Sequence, residues 1–507
     1  MHEFSHLIDL ASARLGGSAV AANDEFFAGK DKLVKPGPAV FVPEKYTDRG
    51  KWMDGWETRR RRTPGHDWCI VKLGLPGIAH AVVVDTSFFR GNYPSHCSID
   101  GCGLPEGADA TSDAVTWQPM LGRTELTGDA QNAFPISGPP ATRRVTHVRL
   151  NIFPDGGVAR LRIMGEALPD WARLLARGAE IDLAAVIHGG YVVNTSDRFF
   201  GEPRNMLMPY PAANMGDGWE TKRRRGPGHD WAVIRLGIRG QISRIELDTA
   251  HFKGNYPDSA SVEAAIVEDE SGGVSADVST KAIADWNTIV AQTVLQADHL
   301  HALPCEAPVT ASHVRLNIYP DGGVSRFRVF GVPTPDARRR AVLRQMNAMD
   351  EPELRPGLAD YCAAPSWIDH MIAARPFASP GSMLAASEAA ADAVTADGWR
   401  EAFRHHPRIG ERLAERRQSD AAQDLSAREQ SSATAGTPAE RAALIEANRA
   451  YEDRFGHVFI VCATGKSAAE VLALLRERLK NDPETELTMA VDEQKKITRL
   501  RLSRLLD

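Results

Sequence analysis

The chain has 507 residues, enough for about three domains. Its 43% apolar and 25% charged residues are ordinary for a soluble globular protein. A formal net charge of −6 argues against a general polyanion binder, which carries a basic excess.

No apolar run reaches the length of a membrane span. The N-terminal MHEFSHLIDL lacks a basic start followed by an apolar core, so no signal peptide is expected. Six cysteines are scattered without a C-x-x-C pair, which suits free thiols in a reducing compartment. These features predict a cytoplasmic protein that binds neither nucleic acid nor membrane.

The first two thirds of the chain are written twice. DGWETRRRRTPGHDW at 54–68 returns as DGWETKRRRGPGHDW at 217–231. DTSFFRGNYP, ending at Pro94, returns as DTAHFKGNYP, ending at Pro257, and HVRLNIFPDGG returns as HVRLNIYPDGG. The order of the blocks is kept, so residues of about 7–168 and 183–334 are two copies of one domain. The stretch between them, ALPDWARLLARG, reads as a short helical linker.

Each copy reads as β. Val148, Leu150 and Ile152 alternate with Arg149 and Asn151, and Leu161 and Ile163 alternate with Arg160 and Arg162. Period two marks half-buried strands. Pro154-Asp155-Gly156-Gly157 between them is turn chemistry, and the pattern predicts a β-hairpin. Many short strands with Gly/Pro turns point to a sandwich or jelly roll.

Composition changes near Pro335, after which Ala, Arg, Glu and Leu dominate. Ser467 and Glu470 have capping-box spacing. Val471, Leu475 and Leu479 form an apolar stripe, and Asn481-Asp482-Pro483 is expected to end that helix. The predicted architecture is therefore multidomain: β jelly rolls over 1–168 and 169–335, the second with the linker, then an all-α domain over 336–507.

Chemistry-bearing residues gather in the repeated blocks. Arg59 to Arg62 offer planar forks suited to carboxylates and ureido oxygens. Asp54, Glu57, His66 and Asp67 stand beside them, matched by Asp217, Glu220, His229 and Asp230. Ion pairs that brace loops are the plain alternative. His66-Asp67 is too short a pattern to define a metal site. Asp24, before Glu25 and two phenylalanines, is as much a turn residue as a ligand, and Arg198 replaces Glu25 in the second copy.

Together, NDEFF, DGWETRRRR, GHDWCIVKLG, DTSFFRGNYP and RLNIFPDGG resemble allantoicase over about residues 5–335. The resemblance implies two galactose-binding-like jelly rolls that hydrolyse allantoate to ureidoglycolate and urea. It also implies divalent-metal dependence, with no ligand set assignable from the motifs. Candidate site residues are Asp24, Glu25, Asp54, Glu57, Arg60, His66, Asp67, Asp217, Glu220, His229 and Asp230. If Glu25 does chemistry, the second copy is impaired.

In the helical part, Pro407 biases His406 away from helix, and histidine titrates nearest neutrality. Ser426 and Glu429 have capping-box spacing, with Gln430 adjacent. Val458 to Cys462 is an apolar run too short for a helix. WIDHMIAARPF, EAFRHHPRIG, SAREQ, RFGHVFIVCATGKS and LRLSRLL resemble the 2-oxo-4-hydroxy-4-carboxy-5-ureidoimidazoline decarboxylases over about residues 340–506. That resemblance implies a cofactor-free enzyme making (S)-allantoin. His406 is then the proton donor, with Glu429 also placed at the catalytic centre. Pro407, Ser426 and Gln430 contact substrate, Phe459, Ile460, Val461, Cys462 and Ala463 offer backbone hydrogen bonds, and Arg501 holds an anionic or carbonyl group. Gly456-His457-Val458-Phe459 departs from the Gly-Phe-Pro-Phe common in that family and leaves the role of His457 open.

The expected partners are small ureido acids and further copies of the chain in a homo-oligomer. A sugar-binding jelly-roll protein with a helical docking domain is the alternative reading.

Overall fold

A computed structural model describes residues 7–175, 180–267, 285–404 and 437–506. They fall into two compact units, Met1–Asp350 and Glu351–Asp507.

Within the first unit the duplication extends to topology. One sheet path runs Ile8–Asp9, Arg160–Ala167, Asp67–Asp85, Arg144–Phe153, His96–Cys102, Gln118–Glu125. The other runs Ile181–Asp182, Arg326–Pro333, Asp230–Asp248, Leu300–Tyr319, Ser259–Ala265, Asn287–Val294. Neighbours are antiparallel, and the register is shared: Leu150 faces Cys69 as Leu316 faces Ala232. Val148, Leu150, Ile152, Leu161 and Ile163 are all buried, as their alternation requires. Both copies are antiparallel β sandwiches of the jelly-roll kind.

The expected hairpin is absent. Arg144–Phe153 and Arg160–Ala167 lie on either side of Asp67–Asp85 and pair with it rather than with each other. Between them Gly157-Val158 pairs with Trp56-Glu57. Alternation reports a buried face; it does not name the neighbour strand. The turn demands its glycines: Gly156 has φ 140°, and a Cβ on Gly157 would meet the Phe89 ring at 2.0 Å. This crossing presses the PDGG turn against the DGWET segment.

The linker helix is short, Trp171–Leu175. The helix Pro335–Ala348 packs back on the first copy, although composition already changes at Pro335. Gln345 accepts the Trp171 amide at 2.8 Å, Arg344 pairs with buried Glu166, and Asp350 accepts the Gly103 amide at 2.7 Å.

The described residues of the second unit are helical. Ser467 and Glu470 close a reciprocal capping box on the helix Ala468–Arg478. Val471 and Leu475 are fully buried, with Leu479 packed beside them. That helix ends at Arg478, and Pro483 instead opens the next one, Pro483–Leu506. Arg478 and Tyr451, the latter on the helix Pro438–Phe455, both hold the buried Glu486 carboxylate. This joins three helices through one charged centre.

Candidate active site

The four arginines divide by position. Arg59 and Arg61 are tied to carboxylates: exposed Arg59 donates from Nε to Asp24 at 2.6 Å, and half-buried Arg61 from Nη1 to Asp67 at 2.7 Å. Arg60 and Arg62 are exposed and make no hydrogen bond or ion pair among the described residues. The second copy repeats this, with Arg224 held by Asp230 and with Arg223 and Arg225 unpaired.

Several predicted residues therefore brace loops. Asp24 Oδ1 accepts the amides of Phe26 and Arg59, each at 3.0 Å. Burial opposes its ionisation, but these amides and the Arg59 guanidinium outweigh burial and hold the carboxyl below its usual value. Glu25 is occupied by the Lys30 amide and ammonium, at 2.8 and 3.0 Å. Asp54 is buried against Arg160 at 2.6 Å, and Lys35 reaches its other oxygen at 3.2 Å. Asp217 meets Arg326 at 3.1 Å and is also paired with Arg14 of the first copy. His66 and His229 pack in tilted contact with Phe153 and Tyr319, each with ring centroids at 4.7 Å.

A cleft of about 480 Å³ opens in the second copy. Glu220, Thr221 and Arg223 line it from the DGWET segment, Asn255 and Tyr256 from GNYP, and Asp321 from the PDGG turn. Glu220 is half-buried, and Asn255 Nδ2 donates to its Oε1 at 2.6 Å. Arg224's amide holds Asp321 at 2.8 Å, which fixes the turn beside the arginine run. The first copy keeps each bond: Asn92 to Glu57 at 2.7 Å and the Arg61 amide to Asp155 at 2.7 Å. Burial raises the Glu57 carboxyl above its usual value, against the Asn92 hydrogen bond that lowers it.

Of the predicted residues in this unit, Glu220 lines that cleft, and Glu57 and Arg60 hold the equivalent positions in the first copy. Asp24, Glu25, Asp54, Asp67, Asp217 and Asp230 are engaged elsewhere. Sequence reading did not weigh Asn92, Asn255, Tyr93, Tyr256, Asp155 and Asp321 as site residues. Their signal was present in the duplicated GNYP and PDGG blocks, which served there only to mark the repeat.

Among the described residues, no three His, Cys, Asp or Glu side chains stand together as metal ligands. The acids named above are already held by arginine, lysine or amide donors. No ligand set is assigned to a divalent metal, and no step below runs through one.

In the second unit, Phe459, Val461 and Ala463 alternate into one apolar cluster with Tyr451 and Leu475. The backbone of this run is partly engaged: the Cys462 amide donates to Glu493 at 2.8 Å, and the Ile460 carbonyl accepts from Arg478 at 2.7 Å. His457 is buried between Phe403 and Tyr451, and burial lowers its pKa. Arg501 is buried and donates to the Asp360 carbonyl at 2.9 Å. Arg499 instead pairs with Glu388 on the surface. His406, Pro407, Ser426, Glu429 and Gln430 lie outside the described residues.

A half-buried carboxylate and an unpaired guanidinium, repeated on duplicated β sandwiches, suit a small anionic ligand. Residues 8–168 and 181–334 match the family model of the allantoicase repeat, and 347–503 that of OHCU decarboxylase. A protein of Burkholderia pseudomallei (strain K96243), named probable allantoicase 2, is 49% identical over 328 residues, 64% of this chain and 94% of its own. The crystal structure of an allantoicase from Saccharomyces cerevisiae shares 33% identity at a TM-score of 0.55, over 65% of this chain and 96% of that one. A further allantoicase structure shares 34% at 0.54, over 64% and 93%. The chain belongs to the allantoicase family, with an OHCU decarboxylase domain behind its two repeats. It is a bifunctional enzyme of purine catabolism, a hydrolase joined to a lyase. Among the described residues no helix is long and apolar enough to cross a membrane.

Proposed function

We propose that both clefts hydrolyse allantoate to ureidoglycolate and urea. The observation that carries this reading is the convergence of three duplicated segments on one cleft, with Arg223 unpaired beside Glu220. Allantoate carries one carboxylate and two ureido groups on a single carbon. In ureidoglycolate a hydroxyl replaces one ureido group, so the C–N bond to that carbon breaks and water supplies the oxygen. The guanidinium of Arg223, or Arg60 in the first copy, suits the substrate carboxylate. Glu220, or Glu57, takes a proton from the attacking water and returns one to the departing urea nitrogen. The raised Glu57 carboxyl lies nearer the operating pH, where such transfer is efficient.

Glu57→Gln and Glu220→Gln, singly and together, test this by urea release from allantoate. At saturating allantoate each single variant is expected to lose about half the activity and the double variant nearly all. Full activity in the double variant overturns the assignment. A parallel chelator arm tests the metal dependence that the family resemblance implies.

In the helical unit we propose decarboxylation of 2-oxo-4-hydroxy-4-carboxy-5-ureidoimidazoline to (S)-allantoin without a cofactor. Loss of CO2 leaves an electron pair on carbon, which Arg501 and nearby donors stabilise. His406 delivers the proton to one face. Ser426, Glu429, Gln430 and Pro407 hold the ring, with the remaining amides of Phe459 to Ala463. The assembly is proposed to be a homo-oligomer, which sedimentation of the full chain checks.

A further inference from the structure

The residues that line the second-copy cleft and their equivalents in the first copy share several backbone bonds. Phe27 and Phe200 donate their amides to the carbonyls of Glu57 and Glu220, both at 3.2–3.3 Å. Gly157 and Gly323 donate to Asn92 and Asn255. Ser95 and Asp258 hold equivalent backbone positions: their amides donate to Phe153 and Tyr319, and their carbonyls accept from Leu126 and Leu295, both at 2.9 Å. Every cleft-lining residue of the second copy recurs at its equivalent in the first, except that Ser95 stands where Asp258 lines the second cleft.

The exchange changes what the wall offers. Ser95 Oγ donates to the Phe153 carbonyl at 3.0 Å and so turns toward its own backbone. The Asp258 carboxylate has no partner among the described residues. It adds a negative charge and two acceptor oxygens to the cleft that Arg223 also lines. The carboxylate of an anionic ligand is repelled there, whereas a cationic amidinium or guanidinium group is attracted.

We propose that Asp258 sets a separate ligand preference for the second cleft, favouring compounds that pair one carboxylate with a cationic amidino or guanidino group. The first cleft, with Ser95, is the better site for allantoate itself. The kinetic arm of the test rests on the hydrolytic reading of the clefts; the binding arm does not.

In the full chain, Glu57→Gln leaves the second cleft as the working site and Glu220→Gln the first. Guanidinoacetate is the probe. It should inhibit urea release more strongly in the Glu57→Gln chain. Adding Asp258→Ser there should lower the KM for allantoate about threefold at low salt, leave kcat unchanged and abolish the stronger inhibition. The KM change should fade as salt rises. Ser95→Asp in the Glu220→Gln chain should produce the opposite changes. Calorimetric titration of guanidinoacetate into otherwise unaltered chains supplies the second measurement. Asp258→Ser should weaken its binding, and Ser95→Asp should add a second site of similar strength. Equal guanidinoacetate binding across wild type and both variants overturns the inference. If Glu57→Gln and Glu220→Gln leave urea release intact while the calorimetric changes appear, the hydrolytic reading fails and the role of Asp258 stands.

Discussion

Asp54→Ala separates bracing from chemistry at the most conspicuous acid of the duplicated motif. Asp54 and Arg160 have side chains 4% and 2% exposed and meet at 2.6 Å. Arg160 also donates to the carbonyls of Gly37, Pro38, Asp54 and Ala159. Truncation keeps those acceptors but leaves a buried guanidinium without its counter-charge, which costs about 3–5 kcal/mol. For a unit this large the melting temperature should fall by roughly 5–10 °C. The pH dependence has a definite sign. Burial opposes ionisation of Asp54, but Arg160, the Val40 amide and Lys35 outweigh it and hold the carboxyl below 3.8. A depressed folded pKa gives stability that is present above the unfolded value and lost as pH falls. The melting gap between wild type and Asp54→Asn should therefore be full at pH 7 and close below about pH 4. Thermal scans over this range, with urea release measured well below the transition, decide the matter. An Asp54→Ala protein with unchanged melting and no urea release refutes the bracing argument and places Asp54 in the chemistry.

Glu57→Gln should cut urea release without lowering the melting temperature at neutral pH. Burial raises this carboxyl, so ionising it costs the native state, and the variant's relative stability should grow as pH rises from the ordinary carboxylate value through the raised one. His406→Ala should abolish stereoselective allantoin formation while circular dichroism shows the helices intact; undiminished (S)-allantoin formation overturns the assignment. Glu486→Ala strands Arg478 in the core of the second unit. Decarboxylation should be lost with part of the helical signal, while urea release from the same chain persists.

Much of the fold could be read from the residues because repetition made it legible twice. Strand alternation placed Val148, Leu150 and Ile152 in the core, and the Ser467–Glu470 spacing marked a real helix start. Strand order was not legible, because alternation around Asp155 is the same whether the chain turns back or crosses to another neighbour. The site was partly legible. Acids and arginines were visible as types, yet Asp24, Asp54 and Asp67 look no different in sequence from Glu57. Only the partner arginines, up to 106 residues away in the case of Arg160, distinguish braces from cleft walls. Asn92 and Asn255 went unnoticed because an amide in a turn motif reads as turn chemistry until the glutamate beside it is seen.

The helix Pro335–Ala348 changes where the two enzymes can be said to join. It lies beyond the second allantoicase repeat, matched to 334, and the decarboxylase match starts only at 347. Yet it supplies Arg344 to Glu166 of the first copy and Gln345 to Trp171 of the linker helix. A truncation at the compositional seam near Pro335 would strip a hydrolase of a clasp that its own sandwich already needs. The compact unit that holds the hydrolase runs to Asp350, so a separately expressed hydrolase should keep those sixteen residues, whereas a lyase transplanted to another partner should begin no later than residue 347, where its family match starts.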